Sequence, residues 1–206
     1  MEKSKAQILT DSISNLELNN FDNGIIQDNK LIFIVEDKCY RVRMPIQSEQ
    51  ALVDQKRNLM QLEYINQEGC ITRKQLIYKL KLSGLFDFDK IEEKKEALTK
   101  ELKQYWFLLA TKSTESVISE LKEKINKIQS ELKDIAIEVA TQLAPSLESR
   151  LEKFTVEYLS FLCTDIQKDK EWVRVWETFE DYQKSSSELT DKVAGQITWL
   201  MLNKRM

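Results

Sequence analysis

The stretch VISELKEKINKIQSELKDIAIEVA, residues 117–140, places apolar side chains at alternating steps of three and four: Ile118, Leu121, Ile125, Ile128, Leu132, Ile135 and Val139. That spacing predicts an amphipathic helix running about 28 residues to Pro145, or roughly 40 Å at 1.5 Å per residue. The preceding LFDFDKIEEKKEALTKELKQYWFLLA has its own seam of Ile91, Leu98, Leu102, Tyr105 and Leu109, with Asp87 or Asp89 at its start. Between them stands the short polar TKST, in which Ser113 or Thr114 can cap the second helix. A link that short forces the two helices antiparallel, and matched seams flanked by Glu and Lys predict a coiled-coil hairpin.

Upstream the period changes. LIFIVEDKCYRVRMP has β-branched and aromatic residues on both sides of Glu36-Asp37-Lys38, which predicts a β-hairpin. Tyr40, Val42 and Met44 face one way, Arg41 and Arg43 the other, and Pro45 ends the ladder. A lone hairpin is marginal in water. It must pack on a helix, recruit the neighbouring NGII segment as a third strand, or pair with another chain.

Four more helices follow from caps and apolar spacing. One begins at Ser48, carries Ala51, Leu52, Leu59, Leu62 and Ile65, and ends near Gly69. The next begins at Thr72, with Gln75 placed for a capping box, and ends at Ser83-Gly84. Past Pro145 a third presents Leu147, Leu151, Phe154, Tyr158, Phe161 and Leu162, and a last one presents Leu189, Val193, Ile197 and Leu200. Between these, KDKEWVRVWETFEDYQK places Trp172, Trp176 and Phe179 at helical spacing with Tyr182 one step on, a stripe that suits a core better than a ligand platform.

The fold expected is therefore mainly α: a helical bundle with a long antiparallel coiled-coil hairpin and a small N-terminal β-hairpin. Its parts are a tail (1–22), the β-hairpin with a helical pair (23–86), the helical hairpin (87–144) and C-terminal helices packing with the rest (145–206). Composition agrees, since 32% of the 206 residues are charged while Gly (4) and Pro (2) are scarce.

The chain has no histidine, which removes the commonest general base, the commonest zinc ligand and every Ser-His or Cys-His pair. No Gly-rich phosphate loop is present, and DFDKIEE lacks the glycine and spacing of a calcium loop. Cys39, Cys70 and Cys163 stand far apart, as reduced thiols of a cytosolic protein would. A net charge of −3 does not favour nucleic acid or anionic lipid, and there is neither a signal-peptide core nor a membrane-length apolar run. These features predict a protein with no catalytic residues, metal or cofactor, made and kept in the cytoplasm.

Three short stretches carry a resemblance: Tyr40-Arg41-Val42-Arg43-Met44-Pro45, Thr72-Arg73-Lys74-Gln75 and Phe179-Glu180-Asp181-Tyr182. In this order, over residues 31 to 183, they resemble tail-assembly chaperone-like and tail structural proteins of large tailed bacteriophages. The resemblance implies a non-enzymatic assembly protein of the host cytoplasm that sheathes an apolar helix of a phage tail or other virion protein, such as a tape measure. It supplies no catalytic residue. The partner contacts expected are Trp172, Trp176, Phe179 and Tyr182, then Arg41 and Arg43, with the hairpin edge offering strand addition. Two other readings stand beside it: a structural component retained in the virion, and a helix-turn-helix regulator built on residues 48–82. A homo-oligomer is left open.

Overall fold

The computed structural model describes residues 25–27, 30–111 and 115–203, so the expected tail of residues 1–22 and the candidate caps Ser113 and Thr114 lie outside the described residues. Seven helices are described: α1 (Gln47–Ile65), α2 (Arg73–Leu82), α3 (Phe88–Thr111), α4 (Glu115–Leu143), α5 (Leu147–Cys163), α6 (Phe179–Gln183) and α7 (Ser187–Asn203). Five strands form one antiparallel sheet in the order β1 (Ile25–Gln27), β2 (Lys30–Val35), β3 (Lys38–Arg43), β4 (Thr164–Lys168) and β5 (Glu171–Arg174). The chain divides into two units, one of Met1–Met60 with Glu152–Met206 and one of Gln61–Leu151.

The first unit is built on the sheet. Its hairpin β2–β3 turns at Glu36 and Asp37, with φ of 47° and 64°, the left-handed pair that a two-residue loop needs to match strand twist. The NGII segment does supply a third strand, pairing Ile26 with Leu31. Alternation along β2 and β3 buries Leu31, Phe33, Val35, Tyr40 and Val42 on one face, against which α7 packs. Every apolar position expected on α7 is buried, as are Phe154, Tyr158, Phe161 and Leu162 on α5, joined by Leu159 and Cys163, which are 0% exposed.

The region expected to be wholly helical after residue 145 contains the hairpin β4–β5. α5 stops where the Thr164 hydroxyl donates back to the Ser160 carbonyl at 2.6 Å, and the chain then pairs Val42 with Thr164. Asp169 and Lys170, with φ of 49° and 71°, make a second two-residue turn. The physical reason for the miss is tertiary: β4 completes the sheet begun by β3, a partner more than a hundred residues earlier. The aromatic stripe is accordingly divided, with Trp172 in β5, Trp176 in the following loop and Phe179 and Tyr182 on the five-residue α6.

The second unit is helical. At the start of α2 the Thr72 hydroxyl accepts from the Gln75 amide at 3.3 Å, while the Gln75 side-chain oxygen accepts from the Thr72 amide at 3.0 Å, completing the expected box. Gly84, at φ +67°, takes the left-handed step that lets the chain leave α2 without a Cβ penalty. The Asp87 carboxylate accepts from the Lys90 amide at 3.2 Å and opens α3. Helices α3 and α4 pack on each other, with the Lys124 ammonium 5.7 Å from the Tyr105 ring centre. On α4 the residues Leu121, Ile125, Ile128 and Ile135 are buried, whereas α3 buries none of its own fully; its predicted seam is half-buried throughout. Ser146 then bridges the break at Pro145 by accepting from the Ser149 amide at 3.3 Å.

Candidate interaction surfaces

Register decides what the outward face of the sheet presents. Ile32 pairs with Arg41, Arg41 with Asp165, and Asp165 with Arg174, so these four form one row across the sheet. Arg41 Nε donates to Asp165 Oδ2 at 2.8 Å, and its guanidinium lies 4.7 Å from the Trp172 ring centre. Arg43 donates to both oxygens of Glu49 at 2.7 Å each, a bidentate pair, and also to the Leu162 carbonyl at 3.3 Å. Arg174 reaches Glu49 Oε1 at 3.2 Å. The two carboxylates are 7% (Glu49) and 5% (Asp165) exposed, so three guanidinium groups surround two buried acids.

The electrostatics follow from those contacts. Hydrogen bonds from Arg43, the Ile46 amide donating at 3.0 Å and the nearby charge of Arg174 hold the Glu49 carboxyl below the usual carboxylate range despite its burial. Arg43 is pushed upward, first by its bond to Glu49. This is a clamp of three arginines on two acids that ties α1 to the sheet. Both acids are already engaged by arginines, which leaves neither as a free base.

Of the six residues expected to meet a partner, the structure brings three together on this face: Arg41, Arg43 and Trp172. Trp176 and Tyr182, at 5% and 4% exposed, lie in the core with their rings edge to face at 4.9 Å. Phe179 stacks on Tyr182 and packs among Phe154, Tyr158 and Phe161. The stripe is thus core packing, the reading its residue types favoured, and as an expected partner contact Trp176 is covered by the core. The hairpin edge expected to accept a strand is also occupied, since β2 pairs with β1 and β3 with β4.

Outside the α3 seam the second unit exposes a short apolar run. Trp106, Phe107 and Leu108, near the end of α3, are 49%, 68% and 36% exposed. Because Tyr105, beside Lys124 of α4, and Leu109 are half-buried on the remaining side, the run YWFLL makes this part of the helix apolar all round. That run was visible in the sequence as consecutive apolar residues. Asp165 and Arg174 were not visible, because their meeting with Arg41 and Glu49 depends on strand register.

The start of α2 bears on the helix-turn-helix reading. The Arg73 amide donates to Glu148 Oε2 at 2.6 Å, and its guanidinium to Ser149 Oγ at 3.2 Å. The end that would face a phosphate carries a carboxylate instead, and its arginine is engaged.

In the first unit an open depression of about 600 Å³ is lined by α5, α6 and α7, with Glu157, Asp191 and Tyr182, whose phenol is buried, among its lining residues. Burial first, and then Glu157, pushes that phenol up to about 12, so it stays protonated at neutral pH. Among the described residues no group of three or more His, Cys, Asp or Glu could hold a metal ion, and no helix is long and apolar enough to cross a membrane. No family model, curated protein or solved structure matches the chain.

Proposed function

We propose that the protein is a non-enzymatic assembly protein that holds an apolar helical segment of another protein through the second unit. The observation that supports this most is the exposed run Trp106-Phe107-Leu108, on a helix that is apolar on every side at that point. Leaving such side chains in water forgoes about 1.5–3 kcal/mol each relative to full burial, and aromatic residues of this kind dominate protein interfaces. In this reading α3 and α4 form the antiparallel coiled arm, and the charged residues along their outer faces keep the loaded complex soluble.

The setting proposed is tailed-phage morphogenesis, with a tail protein such as a tape measure as the segment held. Its support is the sequence resemblance alone. Part of that support has a local explanation: Thr72–Gln75 is a capping box, and Phe179 and Tyr182 are core residues of α6. The test is purification from cells producing the phage, with the wild type compared with the double variant Trp106→Ala, Phe107→Ala. The wild type carries the tail protein with it and the variant does not. Equal recovery from both overturns the assignment to this run. Mature particles then separate an assembly factor, which is absent from them, from a virion component, which is present at fixed copy number.

A further inference from the structure

We infer that the outer edge of β5 is a docking site for an extended peptide segment with alternating acidic and apolar residues, added to the sheet as a sixth strand. This rests on the first unit alone and stands or falls separately from helix binding by α3. The sheet ends at β5, and among the described residues nothing pairs with its far side.

Backbone geometry shows which groups are free. The two-residue turn at Asp169-Lys170 makes Lys168 and Glu171 a hydrogen-bonded pair, and the Val175 amide donates to the Thr164 carbonyl at 3.3 Å. By alternation, Val173 faces β4 through its backbone while Trp172 and Arg174 turn their N–H and C=O outward. That is a template of two residues' amides and carbonyls at strand spacing, the arrangement that accepts an added strand. The edge strand is four residues long and contains no proline.

Side chains on the two faces set the chemistry of the guest. On the outward face the Arg174 side chain is 53% exposed, and three arginines outnumber the two carboxylates, Glu49 and Asp165, with which they pair. A glutamate of the guest opposite Arg174 meets this unbalanced positive charge, while Trp172, whose ring face is taken by the Arg41 guanidinium, can meet only the methylenes of a guest side chain and not its carboxylate. On the other face stand Val173, 37% exposed, and Glu171. An apolar guest residue covers Val173 there, while the charge of Glu171 is offset by its cross-strand neighbour Lys168. The alternation of acid and apolar residue is thus written in the two faces of β5.

The experiment titrates the full chain with a blocked hexapeptide of alternating Val and Glu, with the Lys counterpart as control, and follows backbone amide exchange by NMR. The expected result is slowed exchange at the Trp172 and Arg174 amides but not at Val173, at low salt, with the Lys peptide binding at least about tenfold more weakly. Arg174→Glu reverses that preference. A Val-Glu peptide N-methylated at alternate residues on its pairing edge loses binding with the protein unaltered, which guards against misfolding of the variant. No change at those two amides with millimolar peptide, equal binding of the acidic and basic peptides, or indifference to N-methylation overturns the proposal.

Discussion

The guanidinium of Arg41 lies over the ring of Trp172, 4.7 Å from its centre, although the two residues belong to strands from opposite ends of the chain. Neighbouring β4 places them there, because Arg41 pairs with Asp165 and Trp172 with Gln167. The stack and the Arg41–Asp165 ion pair therefore report whether the late hairpin has joined the early one. Trp172→Ala is expected to cost about 0.5–1 kcal/mol in urea unfolding, the range for partly exposed cation–π pairs.

The clamp at Glu49 carries a pH signature. Its folded-state carboxyl lies below its unfolded value, so the stability it contributes is complete above the ordinary glutamate pKa of about 4.3 and is lost as pH falls through the lower, folded value. Glu49→Gln keeps the shape and removes the charge, costing about 1.5–3 kcal/mol at neutral pH. Urea midpoints measured from neutral pH down past the glutamate range check this: the gap between wild type and variant narrows on acidification. A gap that stays constant contradicts the assignment.

Core and surface separate by substitution. Leu159 is 0% exposed, so Leu159→Ala is expected to cost about 2–5 kcal/mol, the span set by how far the cavity collapses. Trp106→Ala, on the exposed run of α3, should stay within about 0.5 kcal/mol of wild type. A large loss from Trp106→Ala would make that residue structural and remove it from the proposed contact.

Thiol chemistry gives an independent reading of packing. Cys163 is 0% exposed and its thiol is pushed up to about 12, first by burial and then by Glu49. It is expected to resist iodoacetamide at mildly alkaline pH in the folded protein and to react at once in denaturant. Mass-mapped alkylation against time reads this directly, with labelling of Cys163 in native buffer as the contrary result.

Local rules read well wherever a local cause operates. The Thr72 box, the turn at Glu36-Asp37, the break at Pro145 and the buried seam of α4 all follow from residues within a few positions of one another. Reading failed where the cause was distant. TDIQKDKEWVR became two strands because β3 needed a neighbour, and that pairing divided the helical spacing of the aromatic stripe between β5, a loop and α6 while leaving Trp176 and Tyr182 in the core. The arginine clamp had one local trace, Glu49 standing three residues after the Ile46 amide it caps. Its other acid, Asp165, is placed by strand register, which no window of sequence contains.

The proposal that α3 holds another protein is tested most directly by placing a photo-crosslinking residue at position 107 in cells producing the phage, with exposed Lys127 on α4 as the control position. The account predicts one crosslinked product from position 107, containing a helical virion protein, and none from position 127. No product, the same products from both positions, or a product made only of two copies of this chain would contradict it.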